Sequence, residues 1–216
     1  GTLGLAFGAR GKGGKRPAAA HYEPDTIVIN LTKANGAGSL AHEWWHGLDN
    51  YFAMKRDASS KRPRADQYLT ESATTRNVSN DGVRPEMVQA FANIARMVEA
   101  TKIKERSKRL DAKRTKAYWG TGREMTARSF ESYIIARLSD QNAANDYLAN
   151  IVSEEAFGVE NGYPYPTVGE LAQVRAAYDS FFDAVETRET DTGIALESVE
   201  SETLADTDAT PAELAS

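Results

Sequence analysis

Residues 40–53 read LAHEWWHGLDNYFA, and two of the three histidines in the chain stand there four positions apart. The turn-rich stretch NGAGS at 35–39 leads into this segment, so Ser39 is the expected cap of a helix of about four turns. On a helix, positions four apart lie one above the other, which projects His42 and His46 from one face, with Glu43 offset from them by one position. Leu40, Ala41, Trp44, Trp45 and Leu48 form apolar flanks that demand burial. Trp44 and Trp45 point about 100° apart, so at least one of them is expected in the core. A buried helix bearing His, Glu and His needs a reason for those polar groups. The plainer alternative is two surface histidines beside a glutamate.

That reason is a metal. The chain has no Cys, which excludes disulfides, thiolate metal sites and cysteine nucleophiles and leaves His, Asp and Glu as the available ligands. His42 and His46 can share one tetrahedral zinc ion, and Glu43 can act as general base on a water that the metal acidifies. A catalytic zinc keeps three protein ligands and one open position. His21 lies far upstream beside an expected strand, so a carboxylate from a later helix is the better third ligand. The segment GREMTARSFESYIIARL at 122–138 offers Glu124 and Glu131, seven apart on one face with Arg128 between them. Glu124 is the preferred ligand, and Glu131 either accepts a hydrogen bond from a ligand imidazole or replaces Glu124. An exposed charged stripe with a Glu124 to Arg128 pair is the plain reading of the same spacing. Asp49, three residues beyond His46, is placed to orient a ligand imidazole, or else is simply a polar residue near a helix end.

Along the rest of the chain, 2–7 and 26–31 read as strands, with the Gly- and Lys-rich 8–17 between them expected to form a flexible, exposed loop. Residues 57–82 read as a mobile irregular excursion. A helix begins at Pro85 with Met87, Phe91, Ile94 and Val98 on one face and is expected to run on through the basic segment 102–116, until Gly120 and Gly122 break it. Further helices are expected at 122–138, near 140–151 and from 170 to 185. The fold class is therefore α+β, mostly helical with a small N-terminal sheet. Residues 189–216 hold eight acidic and no basic residues, which leaves 26 basic against 23 acidic residues in the remainder. The expected organisation is a domain over 1–187 and an acidic disordered tail over 188–216. No apolar run is long enough to span a membrane, and the basic residues near the N-terminus follow rather than precede a short apolar run, unlike a secretory signal. The missing initiator Met suggests a domain of a longer protein.

The HExxH helix followed by a glutamate-bearing helix resembles the gluzincin branch of the zincin metallopeptidases. More narrowly, GSLAHEWWHGLDNYF, EMTARSFESYI and YPYPT resemble the zincin-like domain of large polyvalent proteins of phages and other mobile elements, over approximately residues 1–180. The resemblance implies zinc held by His42, His46 and Glu124, with Glu43 as base. It also implies a protein or peptide substrate and a cytoplasmic setting, entered with invading DNA. It further implies a group that stabilises the oxyanion, for which Tyr165, Tyr163, Arg128 and His21 are the candidates. Two other readings remain open. The basic segment 102–116 could make sequence-blind contacts to nucleic acid, and the metal could be structural or serve hydrolysis of a different amide.

Overall fold

The computed structural model describes residues 3–7, 20–32, 36–56, 68–72, 79, 81–190 and 193–198. Strands β1 (Gly4–Phe7), β2 (Ala20–Glu23) and β3 (Val28–Leu31) form a small sheet of order β1-β3-β2, with β1 parallel and β2 antiparallel to β3. The fold is α+β, as expected. Strand β2 was not foreseen, because AHYE is too short and polar to signal a strand. It forms by pairing with β3 and by packing Tyr22 on the first helix, α1 (Leu40–Lys55). Gly47 permits that approach, since a Cβ there would meet the Tyr22 ring and a Leu3 methyl at 3.4 Å. The Tyr22 hydroxyl donates to Asn50 Oδ1 at 3.2 Å.

Ser39 occupies the N-cap position of α1, but its side chain makes no capping bond. The start of the helix is satisfied from elsewhere: Ala41 N–H donates to Leu148 O, while Gly38, at φ +86°, exchanges backbone bonds with Tyr147 and Asn150. The orphan amides of a helix end need partners, and this loop supplies them.

The short helix α2 (Leu69–Ser72) lies inside the segment expected to be irregular, and Tyr68, Leu69 and Thr70 are buried. The rest of that excursion, like 8–17, falls outside the described residues, residue 79 and residues 81–82 excepted. Helix α3 (Pro85–Ala100) buries the apolar face read from the sequence. It does not continue through 102–116. Thr101 is extended, its hydroxyl donates to Val98 O at 2.6 Å and accepts from Ile103 N, and a separate helix α4 (Ile103–Asp111) begins. A threonine hydroxyl that competes for backbone groups ends the helix where charge pattern alone gave no stop.

Helix α5 (Gly122–Asp140) ends at Asn142, which has φ +52°. No helix follows at 140–151. Asn145 instead accepts from the amides of Tyr147 and Leu148, and the next helix is the single turn α6 (Glu154–Phe157). Helix α7 (Val168–Asp183) opens with a capping box of Thr167 and Glu170. The expectation that regular structure is lost from 188 is corrected by a hairpin of β4 (Val185–Thr190) and β5 (Gly193–Ser198). Residues 199–216 lie outside the described part. No helix among the described residues is long and apolar enough to cross a membrane.

Helices α1, α3, α5 and α7 enclose the core. Trp45 is fully buried against Phe91, Phe130, Tyr178 and Phe181, and its indole N–H donates to Thr126 Oγ1 at 3.1 Å. Trp44 stacks on Phe130 and Phe182 and is only partly buried. Both tryptophans serve packing, Trp44 on α5 and α7 and Trp45 on α3, α5 and α7.

Candidate metal centre

Helices α1 and α5 cross so that His42, His46 and Glu124 meet, with one ligand atom from each lying within 4.8 Å of the others. The two Nε2 atoms are 3.0 Å apart, and the Glu124 carboxylate stands 3.4 Å from that of His42 and 3.6 Å from that of His46. Atoms coordinated at about 2 Å by one tetrahedral ion lie about 3.3 Å from each other. The cluster has the spacing of three such ligands. The charged-stripe alternative is overturned, since Glu124, Arg128 and Glu131 are all buried, as are His46 and Glu43.

Glu131 accepts from His42 Nδ1 at 3.0 Å. An ionised carboxylate can only accept, so Nδ1 carries a hydrogen and Nε2 is turned toward His46 and Glu124. Of the two uses expected for Glu131, its geometry matches that of a hydrogen-bond partner of the His42 imidazole. Glu124 Oε2 and His46 Nδ1 are buried with no hydrogen-bond partner. An orphaned carboxylate oxygen amid facing imidazoles is an arrangement that a cation completes.

The electrostatics agree. Burial alone would lower the His42 pKa, but the carboxylates of Glu131, Glu124 and Glu43 outweigh it and raise it. Burial and the charge of His42 together depress His46. Without a cation, these directions favour one positive charge on the pair, carried by His42, where a divalent ion would take its place. Burial would raise the Glu124 carboxyl, yet His42, His46 and Arg128 hold it down at about 2.

Glu43 lies beside this cluster without being part of it. Its pKa is pushed up to about 7, chiefly by burial, with His42 and the Tyr22 backbone N–H opposing and Glu124 and Glu131 adding to the rise. The unforeseen strand β2 therefore touches the site directly, through that amide. His21, the neighbour of Tyr22, faces the other way by strand alternation and bonds Glu23 at 3.1 Å.

Asp49 does not orient an imidazole. Its carboxylate accepts from Thr70 N at 2.9 Å and from Thr70 Oγ1 at 2.5 Å, while His46 Nδ1 stays unpaired. Seven positions from His42, Asp49 keeps nearly the same face but stands two turns, about 10.5 Å, further along α1, where it meets α2 instead. Two residues before Thr70, the Tyr68 ring meets His46 edge-on at 5.7 Å between centroids.

Arg128 is 2 % exposed and works as a clamp. Its Nε donates to Pro164 O at 3.0 Å and its Nη2 to Ser107 Oγ and Trp119 O, while Nη1 stands 3.9 Å from Glu124 Oε2. These bonds draw the loops before α5 and before α7 onto the site. The Tyr163 hydroxyl donates to Val152 O at 3.1 Å, and the field of Glu131 and Arg128 reaches Tyr165. Sequence reasoning missed Tyr118. Solvent reaches one side of its ring, but its hydroxyl is turned inward against the Glu124 carboxylate, and burial together with that charge raises its pKa. Asp111 positions it by accepting the successive amides of Tyr118, Trp119 and Gly120 at 2.8 to 2.9 Å. A carboxylate nine residues before a glycine was the only available hint.

The basic segment is partly internal. Arg106 is buried and bonds Glu170 and the carbonyls of Tyr163 and Tyr165. Lys104 pairs with Glu99 and Arg109 with Glu105. Lys108, Lys113, Arg114 and Lys116 remain on the surface.

No curated protein and no solved structure matches the chain. A family model does match residues 110–189, that of large polyvalent protein-associated domain 1. The matched stretch carries Tyr118, Glu124, Arg128, Glu131 and Tyr165 but stops short of the helix with His42, Glu43 and His46, so it is narrower than the span of the sequence resemblance. It supports a polyvalent-protein setting, of phages or mobile elements, for this chain.

Proposed function

We propose that the chain is a zincin-type, zinc-dependent metallopeptidase acting on a protein or peptide in the cytoplasm of a cell that harbours a phage or mobile element. The observation that carries this reading is the convergence of His42 Nε2, His46 Nε2 and Glu124, with His42 turned into place by Glu131. Two imidazoles and a carboxylate with no thiolate suit zinc. When bound, zinc would polarise the scissile carbonyl and acidify a water.

The remaining chemistry belongs to the chain. Glu43, with a pKa near 7, can take up a proton at neutral pH and return it to a leaving amine. Tyr165, as first expected, is the hydroxyl assigned to a carbonyl oxygen as negative charge develops on it, and Tyr118 would join it by turning from Glu124. Arg128 gives its Nε and Nη2 donors to Pro164 O, Trp119 O and Ser107 Oγ and keeps Nη1, which has no hydrogen-bond partner, 3.9 Å from Glu124 Oε2, so it supports Glu124. A closed structural site would need a fourth protein ligand, and the most plausible one, Asp49, is bound to Thr70. This favours a site with an open position.

The test is metal content together with peptide cleavage. Wild type should carry about one zinc per chain, His42→Ala and His46→Ala should lose it, and Glu43→Gln should keep it while losing turnover by a factor of about 10² to 10⁴. Full turnover by Glu43→Gln would remove that residue from the mechanism.

A further inference from the structure

Arg123 precedes Glu124 on α5 and is half-buried. Its guanidinium lies over the Tyr68 ring, 5.0 Å from the centroid, and Tyr68 in turn packs edge-on against His46. The Arg123 charge is felt at His46. The cation thus sits on the His46 side of the metal centre, over a buried tyrosine packed against His46.

Other arginines around the site are committed. Arg106 pairs with Glu170, Arg109 with Glu105, and Arg128 donates to Pro164 O and Trp119 O. Among the described residues no carboxylate forms an ion pair with Arg123. Glu71, beside Gly122, is exposed and makes none with it. A guanidinium offers a planar fork of N–H donors that matches a carboxylate in two parallel bonds, and a stacked aromatic ring keeps that fork oriented. A preorganised cation beside a candidate catalytic centre, with no anionic partner among the described residues, is suited to receive one from a ligand.

We propose that Arg123 recognises a carboxylate of the substrate, from either an acidic side chain or a free C-terminus, and thereby sets the substrate class as acidic or C-terminal peptide segments. The inference rests on the metallopeptidase reading above. Arg123 is a specificity residue and takes no part in moving protons.

The test uses the zinc-loaded full chain and three peptide hydroxamates of one backbone, in which the hydroxamate grips the metal and the tail varies. One tail ends in a glycine carboxylate, one in aspartate amide and one in asparagine amide. Competition binding should show one charged probe held about tenfold more tightly than the neutral one, the effect of a charge-assisted hydrogen bond. Preference for the glycine carboxylate identifies a C-terminal carboxylate, and preference for aspartate amide identifies an acidic side chain. Arg123→Gln, checked for unchanged zinc content and circular dichroism, should bind all three alike, and Arg123→Lys should recover part of the preference. Equal binding of the three by zinc-loaded wild type, or a preference that survives in Arg123→Gln, would overturn the inference and leave the metal site standing. A chain that takes up no zinc would overturn both.

Discussion

Helices α3 and α5 both run through the middle of the molecule, yet they bury opposite kinds of residue. Helix α3 turns Met87, Phe91, Ile94 and Val98 inward and leaves its polar face in solvent. Helix α5 buries Glu124, Thr126, Arg128, Ser129, Glu131 and Ser132 alongside Met125, Phe130 and Tyr133. The first is held by removing apolar surface from water. The second takes charges out of water, which costs free energy unless each is paired. Most are: Glu131 by His42, Arg128 by carbonyls, Ser129 and Ser132 by the carbonyls one turn back. Glu124 Oε2 and Arg128 Nη1, 3.9 Å apart, are left without hydrogen bonds, and Glu124 lies at the metal cluster. One helix is there for stability, and the other gives up stability to hold a site.

The largest effect expected from this contrast is on stability. Phe91→Ala should lower unfolding free energy by about 3–5 kcal/mol in chemical denaturation, with or without zinc, because it opens a cavity among Trp45, Phe52 and Phe181. Glu124→Ala should behave differently. It should cost the zinc-loaded protein more than the metal-free one, because it abolishes the gain in melting temperature that zinc gives wild type, which would otherwise grow with the logarithm of zinc concentration. An equal loss with and without zinc would place Glu124 in the same structural class as Phe91.

Next in size is Glu131→Gln, which keeps the shape of the side chain and weakens its hold on His42 Nδ1. Zinc affinity should fall about 10- to 100-fold by competition with a chelator. An affinity equal to wild type would mean that His42 needs no partner. Smallest is Asp111→Asn, outside both helices, which loosens the loop bearing Tyr118. Burial works against Asp111, but its three backbone donors hold its carboxyl below the usual range. A group whose folded pKa is depressed stabilises above its unfolded value and loses that contribution as pH falls through the folded one. The variant should therefore melt about 3 °C lower at neutral pH, and the gap should close below pH about 4. A gap that does not change with pH would show that the carboxylate charge is irrelevant there.

How much of this could be read beforehand follows from the same contrast. The α3 pattern was legible because apolar burial repeats every three to four residues, and the site-bearing α1 was legible because His42, Glu43 and His46 are rare types at a constrained spacing. Glu124 and Glu131 emerged because seven residues make two helical turns. What stayed hidden depends on contacts between distant segments. Strand β2 exists through pairing with β3, Tyr118 reaches Glu124 because Asp111 folds the loop back, and Asp49 turns to Thr70 on a helix that had read as loop. None of these leaves a periodic trace. Nor did the break at Thr101, where one hydroxyl redirects the chain.

The account stands most directly on zinc binding by the purified chain, measured as metal per chain and dissociation constant for wild type, His46→Ala and Glu124→Ala. It predicts about one zinc in wild type and the loss of tight binding in both variants, with circular dichroism spectra unchanged. Wild type without zinc, or a Glu124→Ala protein that binds as tightly as wild type, would contradict it.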